Sequence, residues 1–383
     1  MTVTAPRGFR AAGLTAGIKE SGTPDLAVVL NDGPSAAAAG VFTANRVKAA
    51  PVLWTQQVVR GGRVRAVVLN SGGANACTGP AGFQDTHRTA EQLARAISGS
   101  AGEVAVCSTG LIGERLPMDR LLPGVDAAVA AADRGGGPAA ADAIRTTDTV
   151  AKTCEVSGPG YVIGGMAKGA AMLAPALATM LVVLTTDASL QAADLDAALR
   201  MAVRTTFDRL DSDGCMSTND TVLLLASGAA GTVPDRDDFA DLLTAACADL
   251  ARQMQQDAEG ASKDITIEVT GAASEDQAVT VGRAIARCNL LKCAIAGADP
   301  NWGRVLAAIG TTSATFEPDQ LDVAINGVWV CRNGCGAADR SAVDLAPRAV
   351  TITVDLRAGK DTATILTSDL TAEYVHLNSA YST

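Results

Sequence analysis

The sequence predicts a mixed α/β fold in which helices are layered on sheets. Short segments rich in Val and Ile, bounded by turn residues, recur from end to end of the 383 residues, as strands do. Between them lie stretches with apolar residues at helical spacing. The two kinds of segment do not alternate regularly, so a doubly wound parallel sheet is not expected. With 48% hydrophobic and 19% charged residues the chain has a globular composition. Only 3% are aromatic, so the core must be built from small and aliphatic side chains.

In chain order, strands are expected at residues 26–30, 40–43, 64–69, 103–107, 180–184, 221–225, 265–270, 321–325, 350–354 and 362–366. The clearest helix is 89–97, where Ala90, Leu93, Ala94 and Ile97 share one face. Segments 123–132, 195–207, 239–255 and 276–286 follow the same period more loosely. Asp237 and Asp238 put acid at a helix start, where the dipole favours it. Arg134-Gly135-Gly136-Gly137-Pro138 is the one linker-like patch. No repeat with a period of about 20–50 residues points to a solenoid.

Thirty-one basic side chains against 41 acidic ones leave a net charge of −10, whereas a nucleic-acid partner requires a basic face. None is expected. Only two histidines are present, His87 and His376, which argues against His-based triads and His-rich metal sites. No metal or cofactor is therefore assigned. The nine cysteines lack framework spacing and read as free, mostly buried thiols of a reducing cytoplasm. The closest pairs, Cys331/Cys335 and Cys288/Cys293, have no nearby His to complete a zinc site. Apolar runs such as 127–132 and 180–184 are far shorter than the roughly 20 residues of a membrane helix. Residues 1–10 carry no apolar export signal, so neither a membrane nor an export role is expected.

Several segments have the composition of a reactive site. In the run from Ala167-Lys168-Gly169 to Ala178-Thr179-Met180-Leu181, a lysine is followed by small residues, Pro175, and then Ala-Thr at the mouth of an apolar strand. On pattern alone this is a Gly/Ala loop feeding a buried strand. Read for chemistry, Thr179 is a hydroxyl nucleophile, stiff at χ1 because it is β-branched. Without a histidine, its base would be an amine. Lys168 could supply it, as could the α-amino group of Thr179 itself if the preceding peptide bond is broken.

Cys107-Ser108-Thr109-Gly110 runs from a strand into a turn whose backbone N–H and Thr hydroxyl have the composition of an oxyanion hole. Ser/Thr-Gly after a strand is more often simply a turn. Neither Gly-x-Gly-x-x-Gly nor a Walker lysine is present to cradle phosphate. Gly260 reads as the C-terminal cap of a long helix, and Glu259 beside it as a carboxylate able to bind an amine or position a proton. Asp299-Pro300-Asn301-Trp302-Gly303-Arg304 reads as a structural corner. The ending Leu377-Asn378-Ser379-Ala380-Tyr381-Ser382-Thr383 has no charged or glycine-rich tail, a hint that it docks.

Together these segments resemble the glutamate N-acetyltransferase family, also called ornithine acetyltransferases, of arginine biosynthesis. The markers run in consistent order over nearly the whole chain. They are Asn70-Ser71-Gly72, Ala74-Asn75-Ala76-Cys77-Thr78-Gly79, Ser108-Thr109-Gly110, Thr146-Thr147-Asp148-Thr149, Lys168-Gly169 through Thr179-Met180-Leu181, Ser217-Thr218-Asn219-Asp220-Thr221, Asp299 to Arg304, and Asn378 to Thr383.

The resemblance implies a layered αββα sandwich similar to N-terminal-nucleophile hydrolases, in a precursor that cuts itself between Ala178 and Thr179. The products would be an α chain, 1–178, and a β chain, 179–383, which stay associated, usually as an (αβ)2 heterotetramer. Thr179 becomes the nucleophile that carries an acetyl group from N-acetylornithine to glutamate, with acetyl-CoA as a further donor in some members. Thr109 and Gly110 match the oxyanion-hole pair. Thr146, Lys168, Thr179, Glu259, Asn378 and Thr383 match substrate-contacting positions. We expect Lys168 and the C-terminal region at substrate carboxylates and Glu259 at the ornithine amine. The sequence departs from the family pattern at Gly73, where Asn is common, and at Cys215-Met216, where Asp-Thr is frequent. Neither departure falls on the nucleophile, the hole or the carboxylate. The alternative is a self-cleaving aminopeptidase or amidase of the same architecture, in which water takes the acyl group.

Overall fold

A computed structural model describes residues 2–172 and 180–380. They divide into two compact units. One comprises the chain up to residue 208 together with 215–254, the other 209–214 together with the chain from 255 onward.

The strands of the first unit are β1 (Phe9–Leu14), β2 (Leu26–Asn31), β3 (Ala37–Phe42), β4 (Ala66–Asn70), β5 (Val104–Ser108), β6 (Lys152–Gly158), β7 (Tyr161–Lys168), β8 (Leu181–Thr186) and β9 (Thr221–Ala226). Its helices are α1 (Ala50–Arg60), α2 (Gly79–Ala96), α3 (Met118–Ala131), α4 (Gly137–Ala143), α5 (Ala192–Thr205) and most of α6 (Arg236–Gln256). The strands form two mixed sheets, in the orders β1-β2-β4-β5 and β3-β9-β8-β7-β6. Val29, Val67 and Leu69 of the first sheet meet Met166, Val183 and Leu223 of the second in one core. The other face of the first sheet, with Val28, Val68 and Val106, packs on Leu93 of α2 and on Leu121 and Val125 of α3. Beyond the second sheet, α5 lies on β3 and Phe239 of α6 meets Tyr161 of β7 at 5.9 Å between ring centroids. This is the expected αββα sandwich. Every residue of β2, β4, β5, β8 and β9 is buried, so these strands read as unbroken apolar runs rather than alternating ones.

The second unit contains β10 (Asp264–Ala272), β11 (Asp322–Ile325), β12 (Val328–Arg332), β13 (Cys335–Gly336), β14 (Ala349–Asp355) and β15 (Asp361–Ser368). Its helices are α7 (Glu275–Ala286), α8 (Asn289–Ala296), α9 (Trp302–Ile309) and α10 (Ala372–Ala380). Its six-stranded sheet, β13-β12-β11-β14-β10-β15, has one apolar face on which Val281, Ile295 and Ile309 of α7, α8 and α9 pack. β10 and β14 accordingly alternate between buried and half-exposed residues.

All ten expected strands are present, and β1, β6, β7, β12 and β13 are additional. β7 escapes a reading by β-propensity because it carries Gly164 and Gly165. A Cβ at Gly164 would stand 2.2 Å from the Thr2 carbonyl oxygen, and one at Gly165 would stand 2.7 Å from Cys154 Sγ. The glycines let the Thr2 backbone approach one face of the strand and the side chain of Cys154, the partner of Gly165 on neighbouring β6, lie over the other. The linker-like patch is not a linker. Residue 133 bridges to Ala11 of β1, α4 starts at Gly137, and a Cβ at Gly136 would lie 1.8 Å from the Ala11 carbonyl oxygen. Helix α2 begins at Gly79, ten residues before the expected start at 89, and Pro123 lies inside α3 rather than at its start. Asn301 in the Asp299–Arg304 corner caps α9, its side chain accepting the Arg304 N–H at 3.3 Å. Among the described residues, no helix is long and apolar enough to cross a membrane.

Candidate active site

The residues expected at the site fall into two groups in the structure. Thr109, Gly110, Thr146 and Lys168 belong to the first unit, and Glu259 and Asn378 to the second. Ala178, Thr179 and Thr383 lie outside the described residues.

In the first unit, β4 and β5 run parallel and end side by side at Asn70 and Ser108. The Thr109 N–H donates to the Asn70 carbonyl oxygen at 3.0 Å, carrying the ladder one residue past the strand. The Asn70 side chain binds both flanks of this turn. Its Oδ1 accepts from Ser108 Oγ at 2.5 Å and its Nδ2 donates to the Gly73 carbonyl at 2.9 Å. Asn219, just before β9, donates from Nδ2 to the carbonyls of Ser108 and Ala74 at 2.8 and 2.6 Å, tying the end of one sheet to the start of a strand in the other.

Gly110 then adopts φ +130°, and a Cβ there would lie 2.7 Å from the Gly73 nitrogen. Glycine is required by both conformation and space. Among the described residues nothing accepts the Gly110 N–H, as an oxyanion donor requires. The departure at position 73 therefore packs its backbone directly against the candidate hole, although its sequence position is remote from it.

Lys168 ends β7, opposite Leu181, which in turn pairs with Thr221. Its ammonium donates to Thr109 Oγ1 at 3.5 Å, and both side chains are buried. It also lies 3.9 Å from Oδ2 of Asp148. Asp148 gathers the cluster. It accepts the Lys152 ammonium at 2.7 Å, the Gly169 N–H at 2.6 Å and the Thr146 N–H at 3.1 Å. Burial opposes its ionisation, but the charges of Lys168 and Lys152 prevail and bring the carboxyl down to about 2. Asp148 thus stays charged and links two of the expected substrate-contacting residues, Thr146 and Lys168.

A second buried carboxyl, Asp220, accepts the Met180 N–H at 3.0 Å just before β8. Here burial dominates over the favourable Met180 hydrogen bond and the Lys168 charge, and the carboxyl titrates well above the usual range. Asp148 and Asp220 stood in the sequence only as parts of polar tracts. The available signal was an Asp within a Thr/Ser/Asn run abutting an apolar strand, and nothing in the spacing gave it a partner.

In the second unit, Asn378 of α10 donates from Nδ2 to Glu259 Oε2 at 2.9 Å, so the structure joins two residues 119 positions apart. Gly260 is not the helix cap. α6 stops at Gln256, and Gly260 sits in a later turn at φ +61°, where a Cβ would meet the Tyr374 nitrogen at 2.3 Å. Its lack of a side chain admits α10 beside Glu259.

None of the nine cysteines is in a disulfide, but only Cys107, Cys154, Cys247 and Cys331 are buried. Burial raises the Cys107 thiol, two residues from Thr109, to about 12, so it is not a competing nucleophile at neutral pH. Among the described residues no group of three or more His, Cys, Asp or Glu is placed to hold a metal.

Fold and site define a layered α/β enzyme whose lysine, hydroxyl and Gly-turn cluster lies where the strands of two facing sheets end and begin. Comparison with known proteins adds the chemistry. The ArgJ family model matches residues 10–383. The arginine biosynthesis bifunctional protein ArgJ of Streptomyces avermitilis is 69% identical, with 100% of both chains covered. Its counterpart from Mycobacterium leprae is 60% identical, over 99% of this chain and 95% of that one. A crystal structure of ornithine acetyltransferase complexed with ornithine from Mycobacterium tuberculosis is 59% identical, covers 47% of this chain and 96% of that chain, and superposes with a TM-score of 0.43. The chain belongs to the ArgJ family and is an acyltransferase of arginine biosynthesis.

Proposed function

We propose that this chain cleaves itself between Ala178 and Thr179 and then transfers an acetyl group from N-acetylornithine to glutamate by a ping-pong route. The Thr179 hydroxyl, with the freed α-amino group as base, attacks the acetyl carbonyl; ornithine leaves with the proton on its α-nitrogen, and the acetyl group stays as an ester on Thr179. The amine of glutamate then attacks that ester, regenerating the hydroxyl. Thr109 and Gly110 stabilise the oxyanion in both halves. Thr146 and Lys168 receive the substrate, Lys168 at a carboxylate. Glu259 takes the ornithine amine, with Asn378 and Thr383 as further contacts. No metal or redox step is needed for acyl transfer between two amines.

The observation that carries this reading is the buried Lys168–Thr109 contact at 3.5 Å beside a Gly110 N–H that no described group accepts. The sheet order supports a cleaved enzyme whose pieces remain together. β8 and β9, from the expected β chain, lie between β3 and β7 of the α chain. Parting the chains would break two strand ladders and expose the sandwich core. We place the enzyme in the cytoplasm as an (αβ)2 heterotetramer. The relatives' name, a bifunctional protein, supports acetyl-CoA as a second donor.

The test is intact-mass spectrometry after acid quench of enzyme mixed with N-acetylornithine alone. The larger chain, beginning Thr-Met-Leu-Val, should carry one acetyl group that glutamate clears quickly and water slowly. Fast clearance by water would make the enzyme a hydrolase. A Thr179→Ala variant that still transfers acetyl groups would overturn the role of Thr179.

A further inference from the structure

The carboxyl of Asp220 is completely buried, yet among the described residues only Oδ1 accepts a hydrogen bond in good geometry. Oδ1 accepts the Met180 N–H at 3.0 Å, while among the described residues Oδ2 has no hydrogen-bond partner in good geometry, although the Ser217 and Thr43 side chains lie close to the carboxyl. The nearby Thr43 hydroxyl is committed elsewhere, donating to the Ser217 carbonyl at 2.7 Å. A buried carboxyl with an orphaned oxygen is costly, and the fold retains one beside the entry to β8.

The same segment grips Met180 a second time, because the Thr221 N–H donates to the Met180 carbonyl at 3.1 Å. Both polar groups of Met180 are thus fixed by consecutive residues, 220 and 221. The N–H that Asp220 holds belongs to the peptide group that joins residue 179 to residue 180. A peptide group is planar, so a hydrogen bond to its N–H limits how the whole group can turn.

We infer that Asp220 is a positioning residue for the nucleophile: by clamping the 179–180 peptide group it orients Thr179 for both self-cleavage and acetyl transfer. The inference rests on the reading of Thr179 given above. Asp220 needs only to accept a hydrogen bond and not to be charged, which agrees with the upward displacement of its titration by burial. A neutral acceptor of the same shape should therefore serve.

The experiment compares Asp220→Ala and Asp220→Asn with the wild type in the full-length protein. Readouts are the self-cleavage rate on a gel, kcat and KM for N-acetylornithine, and thermal unfolding. Asp220→Ala should slow cleavage and transfer together by about tenfold or more, the worth of one well-placed hydrogen bond at the transition state, with KM little changed. Asp220→Asn should recover most of both rates. A loss of mere packing would not spare KM and would not be rescued by Asn.

Wild-type rates in Asp220→Ala, or an Asn variant no better than Ala, overturn the inference. If the Ala chain does not fold, the Met180 amide of the wild type, followed by NMR hydrogen exchange, decides: protection supports the clamp and exchange at the rate of an unbonded amide overturns it. A parallel Thr179→Ala variant separates the two claims. If it still transfers acetyl, the nucleophile is misassigned whatever Asp220 does. If it is silent while Asp220→Ala behaves as wild type, only the role of Asp220 fails.

Discussion

Asp148→Asn should destabilise the protein by about 2.5–5 kcal/mol at neutral pH, and the deficit should shrink in acid. The carboxylate holds the Lys152 ammonium at 2.7 Å, the Gly169 N–H at 2.6 Å and the Thr146 N–H at 3.1 Å, with the Lys168 ammonium at 3.9 Å. Burial works against its charge, but the lysines bring it from an ordinary 3.8 down to about 2. Holding it there is worth about 2.5 kcal/mol. Removing one partner of a buried ion pair typically costs about 3–5 kcal/mol, which sets the upper figure. The folded-state value lies below the unfolded one, so this stabilisation is fully present above the unfolded value and is lost as pH falls through about 2. The gap between wild type and variant should be constant down to roughly pH 5 and fall by about 1 kcal/mol near pH 3. Urea unfolding of both proteins at neutral pH and at two acid pH values measures it. A gap under about 1 kcal/mol at neutral pH, or one unchanged near pH 3, would refute the argument that charge on Asp148 holds this cluster.

Further outcomes follow from the same geometry. Thr109→Ala should lower kcat by about 100-fold or more, with KM nearly unchanged, since an oxyanion donor acts mainly on the transition state; steady-state kinetics that show KM rising at constant kcat would make Thr109 a binding residue instead. Gly110→Ala should both slow transfer and lower Tm, because the new methyl would stand 2.7 Å from the Gly73 nitrogen at a φ of +130°. A thiol reagent should modify the exposed Cys77, Cys215, Cys293 and Cys335 in the native protein. Cys107, Cys154 and Cys247 should react only on unfolding, because burial raises all three thiols. Mass spectrometry of labelled peptides reads the pattern directly.

The elements that were legible in the chain are those whose physics is local. β2, β8 and β9 are buried on both faces, so their apolar runs announced them. The hydrophobic stripe of α2 was visible from Thr89 on, but its first ten residues, which include Gly79, Pro80 and Gly82, were not. β7 was invisible because its Gly164-Gly165 pair makes sense only when the Thr2 backbone and Cys154 press on the strand from either side. The same holds for Gly136, read as a linker residue and found against the Ala11 carbonyl. A glycine selected for close approach and a glycine selected for flexibility are the same letter.

At the site, residue types and order pointed to the hydroxyl of Thr109, the turn at Gly110, the Lys168 amine and the Glu259 carboxylate, because those chemistries are written in single side chains and short motifs. The pairing of Lys168 with Thr109, of Asn378 with Glu259, and of Asp220 with the Met180 N–H joins positions 59, 119 and 40 residues apart. Such distances are set by sheet order and by how the chain returns, and no local pattern encodes them. The opposite displacements of the Asp148 and Asp220 titrations show the point most directly. Both are aspartates in Thr-rich polar tracts, and both are buried. One sits beside two lysines and stays ionised, while the other is held chiefly by one backbone N–H and titrates high. What a carboxyl does depends on the charge and solvent around it, and folding alone supplies those.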